Sequence, residues 1–237
     1  MTNSVPEMRV IARIRSDFKT KFGVPRQSGI VDELVSAIVF EPEYRVADAL
    51  RGIEGFSHLW LIWLFSESVR DGWSPTVRPP RLGGNTRMGV FATRSTFRPN
   101  PIGMSLVELK EVVCHKDSVI LKLGSLDLVD GTPVVDIKPY LPFAESLPNA
   151  SASYAQSAPA AEMPVSFTAE VEKQLLTLEK RYPQLTLFIR EVLAQDPRPA
   201  YQQDPERVYH LVLKPFEVHF RVQEQVAIVT AVTPYAR

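Results

Sequence analysis

Apolar positions along this chain recur mainly in short runs separated by turns rich in proline, glycine and polar residues. Residues 9–14 and 36–40 are two such runs and predict strands. The run at 59–65, Leu-Trp-Leu-Ile-Trp-Leu-Phe, is unbroken. With His58 at its mouth it predicts a strand buried on both faces, as in a barrel wall packed beneath other elements. Between these strands, Val46, Ala49 and Leu50 share one face of a short helix over 43–50, with Gly52 beyond its end. Residues 88–93 predict a short strand, 106–113 and 118–123 a pair joined by a turn, and 132–137 a further strand. Many short strands at this spacing indicate a mainly β barrel or strongly curved sheet, not βαβ units.

The pattern changes at Pro142. Residues 144–164 carry seven alanines with serine and proline between them, the composition of a linker or extended arm. A smaller α+β part follows. Thr168 caps a helix reaching about Arg181, with Val171, Leu175 and Leu178 at helical spacing. Phe188, Ile189, Val192 and Leu193 stripe a second helix that stops at Asp-Pro-Arg-Pro, 196–199. Residues 209–213, 216–222 and 226–232 predict strands. The chain therefore divides into 1–143, a linker at 144–164, and 165–237.

Charge changes this picture locally, not globally. Lys plus Arg equals Asp plus Glu, at 27 each. From Gly72 to Val107, however, there is no acid, while Arg78, Arg81, Arg87, Arg94 and Arg98 all fall inside. Within that span Phe-Arg-Pro-Asn-Pro-Ile-Gly at 97–103 is too rich in proline for helix or central strand. It is a stiff loop that holds Arg94, Ser95, Arg98 and Asn100 at a strand end. A plain structural turn is the bland alternative. The missing acids favour an anion-binding site, since arginine suits bidentate recognition of phosphate or carboxylate.

The one cysteine, Cys114, excludes an internal disulfide and fits a reducing cytoplasm. No signal peptide opens the chain, and its most apolar run is far shorter than a membrane span. There is no dinucleotide fingerprint, phosphate-binding loop or nucleophile elbow. The four histidines and one cysteine show no metal-ligand spacing. His210 and His219 are expected on the surface of the small sheet, without a partner that would make either a ligand. No metal is expected.

Three blocks carry a resemblance: Gly-Val-Phe-Ala-Thr-Arg-Ser-Thr-Phe-Arg-Pro-Asn-Pro-Ile-Gly at 89–103, Leu-Asp-Leu-Val-Asp-Gly-Thr-Pro at 126–133, and Asp-Ile-Lys-Pro-Tyr at 136–140. Together the chain resembles the TrmO (YaeB, TsaA-like) family of S-adenosylmethionine-dependent tRNA methyltransferases. The resemblance implies a single-sheet β-barrel methyltransferase domain outside the Rossmann plan, acting as a homodimer with the cofactor site at the subunit boundary. It implies S-adenosyl-L-methionine as cofactor and N6 of threonylcarbamoyl-adenosine beside the anticodon of threonine tRNA as acceptor. It assigns cofactor contacts to Arg26, Gln27, Arg94, Met104, Leu126, Asp127 and Leu128, and to Phe65 and Ser66 after the buried strand.

Alkyl transfer suits the residue set. A sulfonium methyl is already activated, so the protein has mainly to align donor and acceptor. The exocyclic amine of adenine is a weak nucleophile, and an acceptor for its N–H would help localise the lone pair. Asp127 and Asp136 are the candidates. Asp136 and Lys138 share a strand face and could instead simply pair. Asp136, Lys138 and Tyr140 alternate, so one face would offer an acceptor, a cation and a ring for stacking on a base. Arg78, Arg81, Arg87, Arg98 and Asn100 are the expected tRNA contacts. The alternative is a non-catalytic tRNA-binding module that assists another enzyme; methylation of a small molecule is disfavoured by five arginines in one acid-free stretch.

Overall fold

A computed structural model describes residues 7–24, 36–68, 72–79, 82, 85–115, 118–157, 163–198, 204–213 and 215–235. Six strands close into a barrel: β1 (Ala12–Arg15), β2 (Ser36–Phe40), β3 (His58–Leu64), β6 (Ile102–His115), β7 (Ser118–Leu123) and β8 (Pro133–Pro139). Their order around the ring is β1-β2-β7-β6-β3-β8. The ring closes where β8 meets β1 through Ala12↔Val134 and Arg13↔Pro133. A two-stranded ribbon of β4 (Thr76–Val77) and β5 (Met88–Gly89) stands apart from the barrel sheet.

Alternation decides what the barrel buries. Ile14, Ile38, Leu59, Leu61, Leu121, Leu123 and Val134 point inward, and Leu126 and Leu128 join them from the segment after β7. In β3 this corrects the expectation of burial on both faces. Leu59, Leu61 and Trp63 are buried, whereas Trp60, Ile62 and Leu64 are only half-buried on the outside. A barrel this small accepts one set of side chains per strand, so the second apolar set of β3 must face outward.

Two other expectations change. Residues 43–50 form two 3-10 turns, Pro42–Tyr44 and Ala47–Leu50, in which only Leu50 is buried. With no surface to cover the rest of the apolar face, a continuous helix gains little from packing. The strand expected at 88–93 stops after Gly89, and a 3-10 turn follows at Val90–Ala92. Val90 is buried there, its N–H donates to the Pro75 carbonyl, and the Thr93 hydroxyl donates to the Val90 carbonyl.

Beyond the barrel, residues 141–157 are mostly exposed and carry one short helix, α1 (Pro142–Glu145), and a turn at Ser153–Ala155. The second core is built on the sheet β10-β11-β12-β9, comprising β9 (Val165–Phe167), β10 (Tyr209–Leu213), β11 (Phe216–Gln223) and β12 (Val226–Pro234). Helices α2 (Ala169–Leu178) and α3 (Leu185–Ala194) bury Val171, Leu175, Ile189 and Leu193 in this core. Thr168 accepts from the Val171 N–H and caps α2 as its sequence position predicts. The strand β9, absent from the sequence reading, pairs in parallel with β12.

The chain's beginning takes part in both cores. Phe18 is almost wholly buried in the second core and bridges to Leu213. Phe22 stacks on Tyr209 with ring centroids 6.2 Å apart. Burying one such ring contributes about 1.5–3 kcal/mol, which offsets the cost of ordering the residue that carries it. Gly23, at φ +90°, passes Leu211 so closely that a Cβ would lie 1.9 Å from its Cδ1. A nearly buried ion pair fixes the base of this segment: Lys19 Nζ lies 2.5 Å from Asp130 Oδ2, and Asp130 Oδ1 accepts from the Ser16 N–H at 3.1 Å.

Asp17, beside this pair, has its carboxyl pushed up by burial; Lys19 opposes the shift and Asp130 adds to it. A carboxyl raised in the folded state holds its proton more tightly there than when unfolded. Its contribution to stability is therefore lost as pH rises from about 4 through the raised value. Asp17→Asn is expected to raise the melting temperature at neutral pH, with the gain shrinking as pH falls towards about 4. Thermal melts across that range check it.

Candidate functional site

The outer face of β6, β3 and β8 brings the expected reactive residues together. Register places Met104 opposite Ile62 and Ile62 opposite Asp136, so the three form one row across the strands. Leu106, Trp60 and Lys138 form the next row. Two strand spacings separate Met104 from Asp136, about 9–10 Å. A bulge between Ile62 and Trp63 makes this possible. Val134 points into the core and pairs with Trp63, so strict alternation would send Asp136 inward as well. The extra residue, Val135, turns Asp136 outward.

On that face Lys138 Nζ sits 2.9 Å from Asp136 Oδ2, and Asp136 Oδ1 accepts from the Ile137 N–H at 2.9 Å. Tyr140 meets the edges of Trp60 and His58 at 6.3 and 6.4 Å. Glu145 braces the arrangement from α1: one carboxylate oxygen accepts from Trp60 Nε1 at 3.0 Å and from the Leu141 N–H at 2.8 Å. Acceptor, cation and ring thus share one surface, and both side chains of the ion pair are about half exposed.

A second set of groups lies inside. Trp63 Nε1 donates to Ser105 Oγ at 3.1 Å, and Ser105 donates to Asp127 Oδ1 at 2.8 Å. Phe65 packs edge-on against Trp63 at 4.3 Å. Gly103 allows the indole this position, since a Cβ there would lie 2.3 Å from its ring atoms. Leu126 and Leu128 are core side chains, 0% and 2% exposed, so only their backbone is available to a ligand. The neighbouring Ser125 hydroxyl is buried with no hydrogen-bond partner among the described residues. Met104 faces outward and Asp127 lies behind the inward-facing Ser105, so the two expected cofactor contacts are on opposite sides of the wall.

The arginine loop is wired by its own polar groups. The Ser95 N–H donates to Thr93 Oγ1, the Phe97 N–H to Ser95 Oγ, and Arg98 Nη1 to the Thr93 carbonyl at 2.8 Å. Arg98 therefore shapes the loop as well as charging it, and its guanidinium lies 5.8 Å from the centre of the exposed Phe91 ring. Phe91 stacks in turn on exposed Trp73. The ribbon register pairs Val77 with Met88, which leaves Arg78 and Arg87 side by side at its end. Both are exposed, as are Arg94 and Asn100. None of Arg78, Arg87, Arg94 and Arg98 forms an ion pair with a described carboxylate. The loop rejoins the barrel where the Phe65 N–H donates to the Pro101 carbonyl.

Arg26, Gln27 and Arg81 lie outside the described residues. Lys21 donates to the Glu67 carbonyl, tying the chain just before Arg26 to the exposed turn that opens at Ser66. Sequence reading missed Trp63, Ser105, Ser125 and Glu145, whose roles depend on partners distant in the chain. It missed the Trp73–Phe91 stack too, although two aromatics inside an acid-free arginine stretch were a visible signal. It also read His210 and His219 as partnerless. Their rings lie 4.3 Å apart, and each faces Glu217.

These features define a class: a mainly β protein without a nucleotide-binding glycine loop, with a run of arginines on one loop and ribbon and an acid, a cation and a ring on the outer face of its barrel. The comparisons with known proteins sharpen it. The N-terminal domain model of tRNA-methyltransferase O matches residues 13–146, and the TrmO C-terminal domain model matches residues 160–235. The chain belongs to the TrmO family. It is 72% identical over 226 residues to the tRNA (adenine(37)-N6)-methyltransferase of Escherichia coli strain K12, covering 94% of this chain and 96% of that protein. A protein of the same name from Eikenella corrodens is 47% identical, covering 75% and 97%. The crystal structure of TrmO from Pseudomonas aeruginosa superposes with a TM-score of 0.79 at 31% identity, covering 97% of this chain and 99% of that one. No described helix is long and apolar enough to cross a membrane.

Gly103→Ala is expected to displace Trp63 and loosen the Ser105–Asp127 link. Overpacking of this kind costs about 1–3 kcal/mol. Urea unfolding should show the loss, and near-ultraviolet circular dichroism should report the changed indole environment.

Proposed function

We propose that this chain transfers a methyl group from S-adenosyl-L-methionine to N6 of threonylcarbamoyl-adenosine at position 37 of threonine tRNA, acting in the cytoplasm as a homodimer. The observation that carries the activity is the near full-length identity to the Escherichia coli enzyme, which extends through both cores. The finer substrate assignment rests on the motif blocks at 89–103, 126–133 and 136–140.

The residues present fit the cofactor. The buried Ser125 hydroxyl, without a hydrogen-bond partner among the described residues, and the Asp127 carboxylate held by Ser105 are polar groups in the segment that follows β7. Arg94 offers a guanidinium to a carboxylate, Met104 and Phe65 offer apolar surface, and Arg26, Gln27, Ser66 and the backbone of Leu126 and Leu128 complete the set. When bound, S-adenosylmethionine supplies a methyl already activated by its sulfonium. The placement of Met104 and Asp127 on opposite sides of the wall fits a site completed by a second copy of the chain.

The protein's own work is then positioning and charge. Asp136 accepts the N6–H and helps localise the nitrogen lone pair as the new bond forms. Lys138 meets the threonyl carboxylate or a phosphate, and Tyr140 stacks on the extruded base. Arg78, Arg81, Arg87 and Arg98, with Asn100, hold the anticodon stem-loop.

The test is methyl incorporation into threonine tRNA with and without the threonylcarbamoyl group. Transfer only to the modified tRNA is the expected result. Binding of tRNA without any transfer would instead support the non-catalytic module. Asp136→Asn is expected to lower the single-turnover rate about a hundredfold. An ion pair this exposed contributes under about 1 kcal/mol, so the melting temperature should hardly move. Full activity in this variant would leave positioning as the whole mechanism.

Charge removal at the ribbon gives a separate readout. Each arginine that neutralises a phosphate contributes about 0.7–0.9 to the slope of log affinity against log salt. The double variant Arg78→Ala, Arg87→Ala should flatten that slope by roughly twice this amount and leave cofactor affinity unchanged.

A further inference from the structure

The second sheet carries a cluster that the methyl-transfer site does not use. On the outer face of the β10–β11 hairpin, His210 stands directly opposite His219, and Glu217 precedes His219 by two residues on the same face. His219 Nε2 lies 3.1 Å from Glu217 Oε2, and His210 Nδ1 lies 3.7 Å from Glu217 Oε1. One donor atom from each of the three falls within 4.8 Å of the others. Glu217 and His219 are half-buried, whereas His210 is exposed at the sheet's edge strand.

We propose that His210, Glu217 and His219 form a binding site for a divalent transition-metal ion of the zinc type. The distances carry the argument. A tetrahedral zinc ion about 2.0–2.2 Å from nitrogen and oxygen donors needs those donors about 3.3–3.5 Å apart. The two histidines lie 3.1 and 3.7 Å from different oxygens of the same carboxylate, and one donor from each residue lies within 4.8 Å of the others, so small side-chain rotations bring three donors to that spacing. Two imidazoles and one carboxylate are borderline and hard donors that select zinc-like ions over calcium or magnesium. The strands supply the preorganisation: cross-strand register fixes one histidine against the other, and pleat alternation puts Glu217 and His219 on one face.

The neighbouring charges leave room for a cation. Arg221 lies on the same face beyond His219, and its guanidinium is 3.6 Å from Glu206. Thr233 donates to the Glu217 carbonyl and Thr230 to the His219 carbonyl, which ties both ligand-bearing positions to β12. The ion would replace the hydrogen-bonding proton between His219 and Glu217. Three protein donors leave a fourth position for water, so this is an open site and not a sealed structural cage.

The experiment is titration of the metal-free full-length protein with Zn2+ by calorimetry, and with Co2+ by visible absorption. One ion per chain, with the intense visible bands of four-coordinate Co2+, is the expected result. His210→Ala, Glu217→Gln and His219→Ala should each weaken Zn2+ affinity at least tenfold. Cys114→Ser, at an exposed thiol remote in sequence, should leave it unchanged. Thermal melts establish that each variant is folded before titration, and Glu217→Gln keeps the shape if an alanine variant fails to fold. Absence of binding, several weak ions per chain, or affinity that survives in Glu217→Gln and His219→Ala would overturn the assignment.

Discussion

The packing of Trp63 against Gly103 is the contact on which the candidate site depends. The indole approaches β6 closely there because Gly103, its partner across the strands, has no side chain. That approach holds the indole N–H on Ser105, which in turn fixes Asp127, and it seats Phe65 beside the point where the arginine loop returns at Pro101. A larger residue at 103 would move the inner polar chain and the loop anchor together. Position 103 is thus less a turn glycine than the clearance for an aromatic ring.

The second organising constraint is the separation of charge. Acid, base and ring occupy the outer face of β8, while the arginines occupy a loop and a ribbon from which carboxylates are missing. An exposed lysine–aspartate pair adds little to stability, and clustered exposed arginines repel one another. Neither arrangement is what folding alone favours. Their cost is small, and it is offset by two cores that are independent of them.

Much of the architecture was legible in the sequence. Short apolar runs bounded by turns located β1, β2, β3, β7, β10, β11 and β12, and the Thr168 cap and the Val171/Leu175 stripe located α2. The failures share a cause. The extra length of β6, the outward turn of Asp136 and the opposition of His210 to His219 all follow from strand register, which a linear pattern does not encode. The short helix at 43–50 failed because only Leu50 of its apolar face meets the core, and amphipathic spacing alone does not reveal that. The strand β9 is only three residues long and pairs in parallel with the far end of the chain. At the site, the motif blocks singled out Asp136, Lys138 and Tyr140 as candidates, but the bulge that turns Asp136 outward came only with the fold.

The burial of Phe18 and Phe22 among residues 165–232 bears on the order in which the protein is made. These two rings leave the ribosome early, yet their partners Tyr209, Leu213 and Phe220 are nearly two hundred residues behind them. The barrel strands can close once Pro139 has emerged. The turn-rich segment at 18–24 then keeps its two phenylalanine rings without their packing partners until the hairpin at 209–223 arrives. Loops this long make such a contact slow to form. Docking of residues 18–22 onto the hairpin at 209–223 is therefore a later step than closure of the barrel.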